Sequence, residues 1–232
     1  MTKLLKKKSM ILTVIAFVLA LSFFIYTQDK KYPVNAVTES RTMVIDPGHG
    51  GVDSGALAID GTRESDLNLS IALRLEALAQ FCGIDTVMTR REDKSSAEMK
   101  NYSEHQDLVH RADIANSLAA PVLISIHQNC YPTTQPKGAQ VLYASDEESK
   151  ILGNLVQTNL VSCLDPENRR LAEPASKKLY ITSNVNCPAI LVECGFVSNF
   201  SDIEKLKDKD YQSSVALILL GSYLQFITGG LR

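Results

Sequence analysis

Five cysteines are present, but Cys82, Cys130, Cys163, Cys187 and Cys194 are scattered and no two form a CxxC pair. An odd, dispersed set argues against a disulfide framework, even in an exported protein, and buried thiols are the plainer reading. Internal repeats and low-complexity tracts are missing too. So is surplus positive charge. From Thr42 onward, 17 basic residues face 24 acidic ones, a net of −7. That surface excludes nucleic acid as a partner. The glycine-rich "DPGHGG" (46–51) lacks the lysine of a P-loop and the spacing of a dinucleotide-binding loop, so phosphate recognition is set aside. No compact HExxH metal motif occurs.

What remains is ordinary for a globular protein: 232 residues, 45% hydrophobic and 22% charged, enough for one well-cored domain plus an extension. The extension opens with the basic "MTKLLKKK" (1–8), and the uncharged "MILTVIAFVLALSFFIY" (10–26) follows. Seventeen residues at about 1.5 Å rise give about 26 Å, just enough for a thin bilayer. Residues 9–26 are therefore expected to form a signal-anchor transmembrane helix with the lysines inside and the rest of the chain extracytoplasmic. A cleaved signal peptide is the competing reading. Its small-x-small site, "VNA" (34–36), lies beyond Asp29, Lys30 and Lys31, an approach that favours the anchor. Residues 27–41 read as a polar linker and 42–232 as the folded domain.

Within that domain, short apolar runs at 42–46, 84–89, 121–127, 139–144, 178–182 and 189–194 predict strands. Helical patterns fill 67–82 (with Gly83 as C-cap), 105–119, 147–164 and 210–227. The alternation predicts an α/β layered domain with a mostly parallel sheet of about six strands flanked by helices. Ligands in such sheets lie beyond the carboxyl ends of the strands. His49 stands just past one strand, His127 closes a second and Glu193 a third.

With Glu64, just before the helix at Leu67, the two histidines make a set typical of catalytic zinc with one position left for water. Plainer readings compete: a hydrogen-bonded turn histidine, and a solvated first-turn acid favoured by the helix dipole. Glu193 tips the balance. A carboxylate ending an apolar strand costs several kcal/mol unless it is used or paired. Beside an activated water it could act as general base and then as general acid. Pairing with Arg90 or Arg111 is the structural alternative. Cys194, the next residue in the strand, should face the other side. His105 and His110 read as solvated helix residues.

The segments "VIDPGHGGVDSGA", "RESDLNLSIALRL", "TR" (89–90), "RADIAN", "SIHQN" and "PAILVECGFVSN" resemble, in order, the zinc-dependent N-acetylmuramoyl-L-alanine amidases of the amidase-3 family. Within it, "SIHQN", "GAQVLYA" and "CPAILVECGF" look most like the spore-cortex, CwlD-type branch. The resemblance implies a six-stranded sheet flanked by helices, zinc (Zn2+) held by His49, Glu64 and His127, and Glu193 as the catalytic carboxylate. It implies peptidoglycan as substrate, cut between N-acetylmuramic acid and L-alanine as a step toward muramic-δ-lactam. It also implies an activating lipoprotein partner and a place between the forespore and mother-cell membranes. The stretch at 92–107 is longer than many relatives carry and reads as a solvated loop in preference to a lid or partner surface. Gln128 replaces a small residue. A zinc peptidase acting on peptide stems and a catalytically silent wall-binding domain are the alternatives.

Overall fold

The computed structural model describes residues 41–97 and 101–229. In chain order its elements are β1 (Thr42–Pro47), α1 (Glu64–Phe81), β2 (Thr86–Met88), α2 (Glu104–Asn116), β3 (Pro121–Asn129) and β4 (Gln140–Tyr143). They continue with α3 (Glu147–Leu164), β5 (Glu173–Pro174), α4 (Tyr180–Ser183), β6 (Ala189–Phe196), α5 (Phe200–Lys207) and α6 (Lys209–Ile227). The six strands form one sheet in the order β2-β1-β3-β6-β4-β5. β2, β1, β3 and β6 run parallel, while β4 pairs antiparallel with β6 and parallel with β5.

The near-continuous apolar runs of β1, β3 and β6 are explained by cover on both faces. Met43, Ile45, Ile124, Ile126, Ile190 and Val192 point into one core, shared with residues of α1, α3 and α6. Val44, Leu123, Ala189 and Leu191 point the other way and pack with Ala112 and Ala115 of α2 and Ile181 of α4. Helix starts are capped from the sequence: Asp146, Asn199 and Asp208 each accept backbone amides from the first turn they precede. α1 differs, since its N-cap residue Arg63 makes no side-chain cap. The end of α1 is as expected, with the Gly83 and Ile84 amides returned to the Gln80 and Ala79 carbonyls.

Two expectations about elements change. Residues 178–182 were predicted as a strand, but 180–183 is a short helix, and the sixth strand is the two-residue edge β5. Ile181 is drawn onto the second core from the helix, and edge pairing passes to Glu173–Pro174, where a proline without an N–H is tolerated. α5 was not anticipated.

The membrane anchor expected over 9–26 is also corrected. No helix among the described residues is long and apolar enough to cross a membrane, and 9–26 lies outside those residues. The longest helix among the described residues, α6, carries Lys209, Asp210, Gln212 and Gln225 and buries Val215, Leu219 and Leu220 in the first core. The supported architecture is the α/β domain itself. Neither the membrane as a partner nor a membrane-anchored, extracytoplasmic location is carried forward.

Candidate active site

β1, β3 and β6 end side by side, and their register fixes what meets there. Asp46 lies opposite Ser125, and His127 lies opposite Glu193, just before a register shift between His127 and Asn129. Past β1 the chain turns sharply. His49 has φ 61°, in the left-handed region that non-glycine residues avoid at a cost of about 1–3 kcal/mol. The turn closes on itself through the Gly50 and Asp53 backbones, with N···O distances of 2.7 and 3.2 Å. This conformation swings the imidazole back over the end of the sheet, toward the start of α1.

There His49 Nε2 lies 3.3 Å from Glu64 Oε1, and His127 Nδ1 lies 3.1 Å from the same oxygen. The imidazoles stand edge to face, with centroids 5.0 Å apart and planes at 76°. One donor atom from each of the three residues lies within 4.8 Å of the others, so the cluster can coordinate a divalent cation. Tetrahedral zinc with bonds of about 2.1 Å would hold neighbouring donors about 3.4 Å apart, close to the two separations from Glu64 Oε1 of 3.3 and 3.1 Å. Glycines make the approach possible. A Cβ on Gly48 would sit 2.2 Å from His127 Nε2, and one on Gly55 would sit 2.6 Å from Glu64 Oε2 and 2.7 Å from the His49 ring. Gly48→Ala is accordingly expected to displace His127 and reduce the activity of the site to below about 1% of wild type, about the range seen when a catalytic constellation is misplaced by an ångström. Titration with a divalent cation alongside an activity assay checks this.

Each member of the cluster is held from behind. The Asp53 carboxylate lies 2.7 Å from His49 Nδ1 and also accepts from the Gly55 amide and the Tyr102 hydroxyl. A carboxylate on the far nitrogen fixes the tautomer, leaving Nε2 free to act as a ligand. Burial alone would lower the His49 imidazole, but Glu64 and Asp53 outweigh it and lift its pKa to about 9. Glu64 is 4% exposed, so it is not the solvated first-turn acid of the plain reading. Its Oε2 accepts from the Ala56 amide and its Oε1 from the Gln128 amide. Burial pushes its carboxyl up, but the two histidines hold it well below the usual carboxylate range. Gln128 further donates to Asn68, which donates to the Gly48 carbonyl.

Glu193 closes the cleft from β6. Its Oε2 is buried without a hydrogen-bond partner. Burial raises its pKa to about 7, with the histidines pulling it down and Glu64 pushing it up. The arginines proposed as structural partners are engaged elsewhere. Arg90 donates to the carbonyls of Pro47, Gly48, Ser65 and Glu92. Arg111 donates to Asp46, Asp107 and the Pro47 and His49 carbonyls. Cys194 faces the opposite side, buried in the first core. His105 and His110 are exposed.

Reading single residues left out Asp46 and Asp53 and gave Arg111 only as a partner for Glu193; all three hold the His49 turn. Their signal was present only as parts of the quoted segments "VIDPGHGGVDSGA" and "RADIAN".

A mostly parallel sheet that brings two imidazoles, the carboxylate of Glu64 at a helix start and the carboxylate of Glu193 to one edge marks an α/β domain with a candidate hydrolytic metal centre. The amidase-3 family, N-acetylmuramoyl-L-alanine amidase, matches residues 43–220, and the chain belongs to it. It is therefore an enzyme that hydrolyses the bond between N-acetylmuramic acid and L-alanine. A germination-specific N-acetylmuramoyl-L-alanine amidase of Bacillus subtilis is 30% identical over 231 residues, covering 96% of each chain. The CwlD amidase of Clostridioides difficile, solved in complex with the GerS lipoprotein, superposes with a TM-score of 0.77 at 33% identity over 82% of this chain and 99% of that one. An N-acetylmuramoyl-L-alanine amidase of Clostridium difficile 630 gives 0.71 at 31% identity over 82% and 97%.

Proposed function

We propose that the cation is zinc, held by His49, Glu64 and His127, and that Glu193 is the catalytic carboxylate. The observation that carries this reading is the unpartnered, buried Glu193 Oε2 beside three converging donors. When bound, zinc there would polarise the scissile carbonyl and acidify a water molecule. Glu193, its carboxyl lifted toward neutrality by burial, is poised to take a proton from that water. It then returns the proton to the departing amino group of L-alanine, leaving the lactyl carboxylate on the sugar. Asp53 keeps the His49 tautomer fixed throughout.

The same reading places the reaction in spore-cortex peptidoglycan. There the freed lactyl carboxylate, together with a separate deacetylase, would lead to muramic-δ-lactam. Support comes from likeness to the germination-specific relative over nearly the whole of both chains. A lipoprotein partner belongs to this reading by likeness to the C. difficile complex.

The test is metal content. Wild-type protein is expected to hold near-stoichiometric zinc by elemental analysis, and His49→Ala to fall to background. Released stem peptides should carry new L-alanine amino termini and no sugar. Terminal amino acids in their place would point to a peptidase.

A further inference from the structure

The long segment after β2 does not behave as a free, solvated loop. Its Asp93 reaches across to the turn that presents His49, where the Gly51 amide donates to Asp93 Oδ1 at 2.9 Å. The other oxygen, Oδ2, accepts from Arg63 Nη1 at 2.7 Å, and Arg63 Nη2 donates to the Gly51 carbonyl at 2.8 Å. These three contacts form a closed triangle. One corner is two residues beyond His49, and another immediately precedes Glu64. Farther along the segment, the Tyr102 hydroxyl donates to Asp53, the carboxylate behind His49.

The triangle falls where the chain needs it. His49, Gly50 and Gly51 have φ of 61°, 135° and 63°, three positive values in a row. The two glycines offer no side chain to lock that geometry, and glycine's wide conformational freedom works against a fixed one. The turn must be held from outside. Arg111 holds the His49 carbonyl from below, while Arg63 and Asp93 hold both polar groups of the Gly51 backbone. α1 begins at Glu64 without a side-chain cap at Arg63, whose guanidinium is committed to this bridge.

We infer that Asp93 is a positioning residue that, through the Gly51 backbone and Arg63, sets the separation of His49 and Glu64 before a cation arrives. The inference rests on the zinc reading above and gives the segment after β2 a role in that same site. Asp93 is a clamp, and an exposed ion pair of this kind contributes little to folding itself. Its effect should therefore appear in metal affinity rather than in melting temperature.

The experiment compares zinc affinity, by competition with a chelator, for wild type, Asp93→Ala, Asp93→Asn and Lys207→Ala. Lys207 bridges Asp60 at 2.7 Å, so its variant breaks a surface ion pair without removing a contact of Gly51, Arg63 or Asp93. Asp93→Ala is expected to weaken zinc about tenfold, the low end for loss of a group behind a metal ligand. Asp93→Asn, which keeps an acceptor for Gly51 but loses the charge facing Arg63, should fall in between. Lys207→Ala should stay within twofold of wild type, and the metal-free melting temperatures of Asp93→Ala and Lys207→Ala should drop alike. Affinity within twofold of wild type in Asp93→Ala would overturn the inference, as would equal weakening in Lys207→Ala. A wild-type protein that takes up no zinc would overturn the zinc reading instead.

Discussion

Glu193→Gln is expected to lower the turnover of stem-peptide release about a thousandfold, within the span attributed to general acid–base catalysis, while zinc content is unchanged. The substitution keeps the shape of the side chain and removes its capacity to accept and return a proton. Position explains why the loss should be large. Glu193 lies opposite His127 in the sheet register, on the face toward the cluster, and its free oxygen has no other duty in the fold. Stability should move the other way. A carboxyl whose folded pKa is raised to about 7 costs stability as pH climbs through the range between its unfolded value and 7. Metal-free Glu193→Gln should thus melt a few degrees above wild type at pH 8 and lose that advantage near pH 4. Such a trade is what a residue retained for chemistry rather than for packing should show. Turnover within tenfold of wild type would remove Glu193 from the mechanism. A lower melting temperature at pH 8 would show that its oxygen is paired after all.

How far the site was legible depended on where each residue sits relative to a strand. His127 and Glu193 each end an apolar, β-branched run, and His49 follows one, so the rule that sites lie beyond strand carboxyl ends reached all three. Glu64 needed only a helix start in the right place. The supports were hidden because they depend on register and crossing rather than on local pattern. Asp46 reads as the first residue of an Asp-Pro turn. It becomes a buried charge only because β1 and β3 bring Ser125 beside it and Thr89 returns from β2. Arg111 reads as one polar residue among many in "HQDLVHRADIAN", and nothing local says that this face of α2 is buried. The short helix at 180–183 shows the same limit from the other side. "KLYIT" has the composition of a strand, but packing of Ile181 on the second core overrode it. The segment after β2 carried too little pattern to reveal that Asp93 and Tyr102 fold back onto the His49 turn.

Arg111→Met should be the most damaging substitution to the fold of the site, costing about 3–5 kcal/mol of unfolding free energy, the usual penalty for leaving one member of a buried ion pair alone. Arg111 and Asp46 are each about 2% exposed and meet at 2.7 Å. Without the guanidinium, Asp46 would keep only the Thr89 and Ser125 hydroxyls, the His49 carbonyl would lose its donor, and the Pro47 carbonyl would keep only Arg90. The strained His49 turn would then lose its hold from below, and zinc affinity should fall with stability. Acid titration provides an independent check. Burial pushes the Asp46 carboxyl up, but Arg111 and the two hydroxyls outweigh it and lower its pKa to about 2. In unfolded chains the same group titrates near 3.9. Between those values the unfolded chain binds more protons than the folded one, so stability rises with pH there. The contribution, about 2.5 kcal/mol, is nearly complete above about pH 5 and is lost progressively as pH falls through 2. Urea unfolding at pH 5 and pH 2 should show a drop in wild type that is smaller by this amount in Asp46→Asn, whose side chain cannot titrate; the drop left in the variant comes from other carboxylates with lowered pKa, Glu64 among them. Equal slopes in the two proteins would mean that Asp46 is not charged in the folded state, and the ion pair beneath the His49 turn would have to be replaced by a neutral hydrogen-bonded contact.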